Sequence, residues 1–395
     1  MTRAEPVKKM PKDASALLRV FLPFYAIHCV EQVYFVYGAS LARYDFSPQA
    51  IGWILGIFFM AVMASRTFGG WAIENFGVRR TLEWSSVASF AGCMMLYFKT
   101  VFAALLLGRI LAGVAFGVYT MALFSYQAIT TSETKRGRDF AIVVCGGILP
   151  MATISPIGEW LLVGSMENIF LGIGPILSVA CWNLGRKIDI PARGAKKEVG
   201  GEHWGTYREL LSSRNFIFLV ATGILISIVD AFVVSISMLA VERGIMTSYF
   251  MVSSSAVAVL VRGAGAKILN RLPRAKVIAP CGVIMAGAAL FLALVPTNAS
   301  FLIGGLITGI GIGAAWPLYH ALLSDMLDVP LRPKGTAVAL LFYDLGWFLT
   351  PLLVGYASPL LGIANTFGAI SIFAIILLTL LQFLFWMPYK HHDKA

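Results

Sequence analysis

The sequence predicts an all-α integral membrane protein in which twelve membrane-spanning helices form two six-helix halves related by pseudo-symmetry. The first observation behind this prediction is composition: the 395 residues are 58% hydrophobic and 13% charged, with a mean hydropathy of +0.80. That charged fraction is about half the value typical of soluble domains, which excludes a soluble globule. The second observation is a series of long apolar runs, and the third is a one-sided distribution of basic residues.

The apolar runs are about 20 residues long, the length that a helix needs to cross the hydrocarbon core of a bilayer. Glycine, proline and charged residues separate the runs, as expected for connections. Runs of this length are too long for barrel strands and lack their period-two alternation, so each run predicts a helix. The predicted helices cover residues 16–39, 50–69, 81–98, 101–127, 139–164, 167–185, 215–240, 248–266, 277–296, 299–323, 336–359 and 365–387.

The basic residues lie on alternate connections between these runs. Of the 31 Lys and Arg residues, 24 fall on the side of the N-terminus, 3 on the opposite side and 4 within or at the helices. Because Lys and Arg mark the cytoplasmic side, we expect both termini in the cytoplasm and a multi-pass protein of the bacterial inner membrane. The net charge of +11 is therefore a topology signal and not a nucleic-acid surface. The first residues resemble a cytoplasmic tail and not a cleaved signal peptide.

The sequence gives no support for catalysis, cofactor binding or metal binding. It lacks the nucleotide loop GxxxxGKS/T and the motifs GxSxG and HExxH, and its histidines and acids do not fall at metal-ligand spacing. We therefore expect a protein that is not an enzyme and that has no cofactor. No CxxC pair occurs, so disulfides and thiol redox chemistry are not expected. The five cysteines all lie inside apolar runs: Cys29, Cys93, Cys145, Cys181 and Cys281.

A long polar stretch divides the chain into its two halves, and an internal repeat supports the division. The predicted organisation is a tail over 1–15, a half over 16–185, a linker over 186–214, a half over 215–389 and a tail over 390–395. Parallel six-helix repeats place the substrate between the halves in alternating-access carriers. The residues that match at a spacing of 196 are Arg66 with Arg262, Gly69 with Gly265, Arg80 with Lys276, Gly113 with Gly309 and Gly117 with Gly313.

The connection between the second and third runs carries a candidate gating motif, Gly70, Glu74, Gly77, Arg79 and Arg80. The glycine favours a tight turn, the arginines hold the loop at the membrane surface, and the acid can cap or pair in one state only. The motif resembles the loop signature G-x-x-x-D-R-x-G-R-R of the major facilitator superfamily, with Glu in place of Asp and Asn in place of the first Arg. The resemblance implies the twelve-helix fold of that family.

Two further segments carry the same resemblance. Arg109, Gly113 and Gly117 follow the family pattern R-x-x-x-G-x-x-x-G, in which glycines four apart allow close helix packing. Residues 346–355 resemble the G-x-x-x-G-P-x-x-x-G helix of related exporters, and 154–158 loosely resembles the fifth-helix signature of drug and proton antiporters. This resemblance favours efflux.

Charged residues inside the apolar runs are the candidate substrate and proton sites. Arg109 lies about 12 Å from the outer end of its helix, so we expect it to face a partner or a water-filled cavity. Glu31 and Asp230 are each about fifteen residues into the first and seventh helices, near the same depth. His28 and Tyr34 share a helical face with Glu31.

His320 in the tenth run and Asp344 in the eleventh complete the candidate set. By resemblance, the first, fourth, seventh and tenth helices line the central cavity, which includes every candidate except Asp344. Other interpretations remain open at this point. Arg109, Glu31 and Asp230 could form a static salt bridge, and the two histidines could be satisfied by neighbouring backbone or hydroxyl groups. Transport of a metal ion is a further interpretation, but the sequence contains no metal-ligand motif to support it.

The residues and the resemblance together predict a secondary transporter that uses alternating access to export a small organic solute in exchange for protons. Glu31 is the predicted proton carrier, and Arg109 is predicted to exchange partners between Glu31 and Asp230. The alternatives are uptake of an organic anion attracted by Arg109 and, in a different class, a membrane sensor that does not transport. The expected partners are the solute, protons and the lipid bilayer, without nucleic acid, and the expected state is a monomer.

Overall fold

The computed structural model describes residues 13–130, 136–188, 206–269, 271–295 and 297–389. Both predicted tails, apart from three residues of the first, and most of the predicted linker lie outside these residues. Within them every predicted apolar run forms helix, with an interruption in the run 139–164, and no strand is present. The prediction of an all-α membrane fold is confirmed.

The N-terminal half contains helices α1 to α6. Short helical segments at Val33–Val36, Tyr37–Leu41 and Ala42–Tyr44 extend α1. The helices α2 and α3 form one continuous element, Pro48–Met95, which is broken at Gly77. The ranges are α1 Asp13–Gln32, α2 48–76, α3 78–95, α4 Phe102–Thr130, α5 Arg136–Cys145 continued by Ile154–Val163, and α6 Glu167–Gly185.

The C-terminal half contains helices α7 to α12 and is preceded by a short linker helix, Tyr207–Ser212. A 3-10 or π segment follows some of these helices, as at Gln382–Trp386 after α12. The ranges are α7 Arg214–Asp230 continued by Phe232–Glu242, α8 Ser248–Gly263, α9 Arg274–Leu294, α10 Asn298–Met326, α11 Arg332–Leu361 and α12 Ile363–Leu381.

Ten helices in the described chain are long and apolar enough to cross a membrane. One of them is the 48-residue element that contains both α2 and α3, and the 16-residue α8 is an eleventh apolar helix of shorter length. Counting α2 and α3 separately therefore gives the twelve predicted helices.

The turn between α2 and α3 is made by one residue. Gly77 has φ 77° and ψ 160°, a conformation that residues with a Cβ rarely adopt. The Thr81 hydroxyl donates to the Gly77 carbonyl at 2.8 Å and fixes the start of α3. The sequence prediction of a tight turn at Gly77 is confirmed.

The helix α5 is interrupted over residues 146–153, where two glycines and Pro150 replace the regular helix by turns. Backbone carbonyls freed by the interruption accept side-chain donors. Gln32 of α1 donates to the Gly147 carbonyl at 2.6 Å, and Ser255 of α8 donates to the Ile148 carbonyl at 2.9 Å. The predicted kink of α5 is confirmed, and its two neighbouring carbonyls are held by opposite halves.

We call the end of the bundle that contains Gly77 the basic end, and the end where α2 begins the far end. At the far end the two halves are in direct contact. A Cβ on Gly52 would lie 2.6 Å from the Pro351 carbonyl oxygen, so α2 and α11 pack backbone to backbone. The Ser237 hydroxyl of α7 donates to the Phe35 carbonyl at 3.1 Å. The bundle is therefore closed at the far end.

Candidate functional site

Arg109 lies on α4, one of the few charged side chains buried in the described chain, and is 1% exposed. Its Nε donates to the Ile54 carbonyl of α2 at 3.2 Å, but neither terminal nitrogen has a hydrogen-bond partner. The guanidinium carbon lies 4.5 Å from the ring centre of Phe58 and 5.8 Å from that of Tyr34. Aromatic faces compensate part of the charge, and two donor groups remain unused.

Glu31 lies on α1 near this arginine and is 7% exposed. The two groups interact electrostatically, although no Arg109 nitrogen lies within the 4.0 Å of an ion pair among the described residues. The predicted neighbourhood is therefore found, but this conformation does not contain the static salt bridge. A buried acid and a buried base that do not touch are each costly, so a change of partner or of protonation can lower the free energy of the site.

His28 lies on α1 with Glu31, and Tyr34 lies on the segment that extends α1. Both side chains bond to backbone carbonyls instead of joining Glu31 in one polar site. His28 Nδ1 donates to the Phe24 carbonyl at 2.8 Å, and its ring packs 4.9 Å from that of Phe116. Tyr34 is buried and donates to the Leu171 carbonyl of α6 at 3.4 Å. One ring nitrogen of His28 is therefore satisfied by a neighbouring backbone group, as the alternative interpretation of this histidine expected.

Asp230 lies in the C-terminal half and does not meet Arg109. Its carboxylate accepts from the Tyr343 hydroxyl of α11 at 3.0 Å, and its electrostatic partner is Arg262 of α8. Arg262 is the arginine that influences Asp230 electrostatically, but the two side chains form no ion pair among the described residues. The physical reason is direction, because the Nε of Arg109 bonds to the backbone of α2, whereas the Asp230 carboxylate bonds to Tyr343 of α11.

Arg262 is the functional candidate that sequence reasoning missed. One terminal nitrogen donates to the Ile312 carbonyl at 3.1 Å, and its buried Nε has no partner. The signal was present in the repeat, which matches Arg262 with Arg66. Both lie inside their helices, but the sequence analysis used them only as evidence of the repeat.

His320 is surrounded by aromatic side chains that the sequence analysis did not single out. Its ring centre lies 4.3 Å from that of Trp316 and 5.6 Å from that of Tyr319, and Trp316 in turn lies 4.8 Å from Tyr343. The buried Nε2 of His320 has no hydrogen-bond partner. The helices α7, α8, α10 and α11 therefore gather an acid, an arginine and a histidine around aromatic rings.

Asp344 is placed as the family resemblance implied, outside the helices expected to line the cavity. It forms a two-point ion pair with Arg66 of α2, with distances of 2.5 and 3.1 Å. The pair joins the two halves of the molecule. Asp344 therefore bonds across the two halves in this conformation, and its role as a substrate or proton residue stays a prediction.

The gating motif is organised around the turn at Gly77. Arg79 pairs with Glu83 of α3 at 3.1 Å, and Arg186 at the end of α6 approaches the same carboxylate at 3.8 Å. Glu74 and Arg80 are exposed, and a Cβ on Gly70 would meet nothing within 4 Å. Glu83 was missed, although its spacing of four from Arg79 is a recognised helical pairing.

A bundle of spanning helices in two halves, closed at one end and with charges buried within it, is typical of secondary transporters. The sequence profile of the Major Facilitator Superfamily matches residues 16–300 and 264–395. The chain belongs to this superfamily, and it is a multi-pass integral membrane protein.

Similar curated proteins are sugar carriers of insects. The Facilitated trehalose transporter Tret1-1 of Drosophila sechellia is 25% identical over 183 residues, which is 43% of this chain and 21% of that protein. Tret1 of Drosophila pseudoobscura pseudoobscura is 29% identical over 98 residues, 25% of this chain and 11% of that protein. The matched part of this chain thus spans about a fifth or less of these relatives.

Solved structures of transporters share the fold along nearly the whole chain. A bacterial homolog of the human lysosomal transporter Spinster, in an inward-facing and unoccupied conformation, gives a TM-score of 0.76 at 15% identity and covers 95% of this chain and 97% of that one. The xylose transporter XylE from E. coli, in an inward open conformation, gives 0.74 at 15% identity over 96% and 97%. At this identity the likeness shows the fold alone.

Proposed function

We propose that this transporter exports a small organic solute in exchange for protons, by alternating access between its two halves. The observation that carries the proposal is the arrangement of Glu31 and Arg109 in the N-terminal half. Both groups are buried, they interact electrostatically without an ion pair, and Arg109 keeps two terminal nitrogens without a partner.

The proton has a physical role in this arrangement. An ionised Glu31 needs the positive charge of Arg109 nearby, because an isolated charge at this depth is costly. When the terminal nitrogens of Arg109 take another acceptor, Glu31 loses that compensation and binds a proton instead. Glu31 then alternates between a charged and a neutral form as the halves move.

The solute site is proposed on the other half, where Asp230, Arg262 and His320 meet Trp316 and Tyr343. A few polar groups on an aromatic surface are typical of sites for small organic solutes. Trehalose transporters among the relatives make sugars a suitable first class of solute to test.

The orientation follows from the 24 basic residues on the side of the termini, against 3 on the other. We place the basic end in the cytoplasm of a bacterial cell, with a monomer in the inner membrane. The far end then faces outward, and it is the closed end in this conformation.

The test uses purified protein in proteoliposomes. Glu31→Gln is expected to abolish solute movement driven by a pH gradient and to leave solute counterflow, which needs no net proton movement. Glu242→Gln, at an exposed acid on the far end of α7, is the matched control and should behave as the wild type. Loss of both activities in Glu31→Gln would make Glu31 a structural residue.

Uptake of an organic anion is the second candidate function. Arg109 is too buried to attract a solute in this conformation, but Arg262 offers a buried Nε without a partner in the half that carries the proposed site. In proteoliposomes that are acidic outside, uptake predicts accumulation of the solute inside, whereas export predicts its release. Absence of counterflow with every solute class would favour the sensor.

A further inference from the structure

A second buried acid, Glu159, joins the two halves at the far end. It lies on the last part of α5 and is 7% exposed. Its carboxylate accepts from the backbone N–H of Thr247 at 2.5 Å and of Ser248 at 2.8 Å, and also from the Ser248 hydroxyl. The acceptor belongs to the N-terminal half, and all three donors belong to the C-terminal half.

The donors lie at the start of α8, where a helix has N–H groups without acceptors of its own. Thr247 is the N-cap residue, and its side chain makes no capping hydrogen bond. The first N–H groups of a helix also carry its positive dipole end, which favours a carboxylate. Glu159 therefore supplies from the other half the cap that α8 lacks.

This cap exists only while the far ends of α5 and α8 are together. When the halves separate there, Glu159 loses three hydrogen-bond donors and the N–H groups of Thr247 and Ser248 lose their acceptor. Charge-assisted hydrogen bonds are stronger than neutral ones, so the contact favours the closed far end over the open one.

A neighbouring acid has similar chemistry without the same consequence. Glu167, at the start of α6, accepts from the hydroxyls of Ser40 and Tyr44 and pairs with Lys99 at 3.0 Å. All of these partners belong to the N-terminal half, so movement of one half against the other leaves the cluster intact. The two acids differ in whether they bridge the halves.

We propose that Glu159 is a latch that sets the balance between the states with a closed and an open far end. The proposal rests on alternating access, and it does not depend on the coupling ion or on the solute. It makes Glu159 a residue that controls transport from outside the solute and proton sites.

The test measures opening directly. In a background whose five native cysteines are replaced by alanine, spin labels are attached at Arg43→Cys and Arg243→Cys, which are exposed far-end positions in opposite halves. Pulsed electron paramagnetic resonance then reports the distance between the labels in the full chain. Glu159→Gln, whose amide NH₂ would face a backbone donor, is expected to raise the ratio of long to short distances roughly ten-fold.

Two variants complete the design. Ser248→Ala removes one donor and should shift the ratio in the same direction by a smaller factor. Glu167→Gln should lower the melting temperature while leaving the ratio unchanged.

An unchanged ratio in Glu159→Gln overturns the latch. If that variant does not fold, an unchanged ratio in Ser248→Ala overturns it. Absence of a second distance in every variant and with every solute would reject alternating access itself.

Discussion

The two seams that join the halves are built from different chemistry. Between α2 and α11 the contact is made by glycines against backbone, as where a Cβ on Gly355 would lie 2.6 Å from the Pro48 carbonyl oxygen. Between α5 and α8 it is made by side-chain hydrogen bonds, from Glu159 at the far end to Ser255 farther in. Close backbone packing is therefore the distinguishing feature of the first seam, and polar side-chain contacts are that of the second.

This difference shows that the contacts closing one end of the bundle can be sensitive to different substitutions. A glycine contact resists any added atom, because two backbones leave no room to relax. A hydrogen-bonded contact tolerates changes of volume but responds to the loss of a donor or acceptor. The α2–α11 seam has one ionic contact as well, Arg66 with Asp344, and it lies about 25 Å from the far end by helix rise.

The largest effect is expected from breaking that ion pair. Asp344→Asn leaves Arg66 partly buried without a charged partner, which should cost about 2–3 kcal/mol and lower the melting temperature of the purified protein. Asp325→Asn is the control, since its pair with Arg274 lies within one half and is more exposed. A double-mutant cycle with Arg66→Gln that gives no coupling energy would remove the ion pair from the seam's stability.

Overpacking the glycine contact is expected to have the next largest effect. A Cβ on Gly52 would approach the Pro351 carbonyl oxygen to 2.6 Å, so Gly52→Ala should cost about 1–2 kcal/mol. Gly287→Ala on α9, where a Cβ meets nothing within 4 Å, should be neutral or stabilising. Equal melting temperatures for the two variants would contradict a tight α2–α11 seam.

The turn that ends α2 offers a third test, which concerns the gating motif and lies outside the seam. Gly77→Val forces a branched side chain into a backbone conformation reserved for glycine, at a cost of about 1 kcal/mol or more. Gly70→Val, seven residues earlier, is the control for the added side chain, because a Cβ there meets nothing within 4 Å. Wild-type transport and expression in Gly77→Val would reject the tight-turn interpretation of the gating motif.

The smallest effect is expected in the polar seam. Ser255→Ala removes the donor to the Ile148 carbonyl and should cost about 0.5–1 kcal/mol. The neighbouring Ser254 bonds to the Met251 carbonyl of its own helix at 3.1 Å, so Ser254→Ala should leave the distance between spin-labelled halves unchanged. If both variants shift that distance equally, Ser255 has no special role between the halves.

The sequence was sufficient for the fold because each element leaves a local signal. Apolar length predicts a spanning helix, and the position of Gly77 predicts a turn, without knowledge of any neighbour. The fixed spacing of 196 between Arg66 and Arg262 likewise revealed the two halves before any contact was known.

The partners of the buried charges could not be predicted in the same way. Counting residues gives the depth of a side chain but not the direction in which its helix is rotated. Arg109 and Asp230 have similar depths, yet Arg109 contacts α2 and Asp230 contacts α11. The 3-10 segment Val33–Val36 after α1 changes the rotation again and directs Tyr34 toward α6.

Glu159 shows a related limit. Nothing in the sequence near it indicates that the start of α8 lacks a cap, because the missing group is a property of residues about ninety positions away. Only the tertiary structure brings the acceptor and the donors together.

In the interruption of α5, the carbonyls of two consecutive residues accept hydrogen bonds from different halves of the molecule. The Gly147 carbonyl is bonded to α1 of its own half, and the Ile148 carbonyl is bonded to α8 of the other. Rotation of one half against the other would break the hydrogen bond to the Ile148 carbonyl and leave the bond to the Gly147 carbonyl intact. Carbon-13 placed in either carbonyl would therefore give an infrared probe of the cycle with its own internal reference, one peptide bond apart.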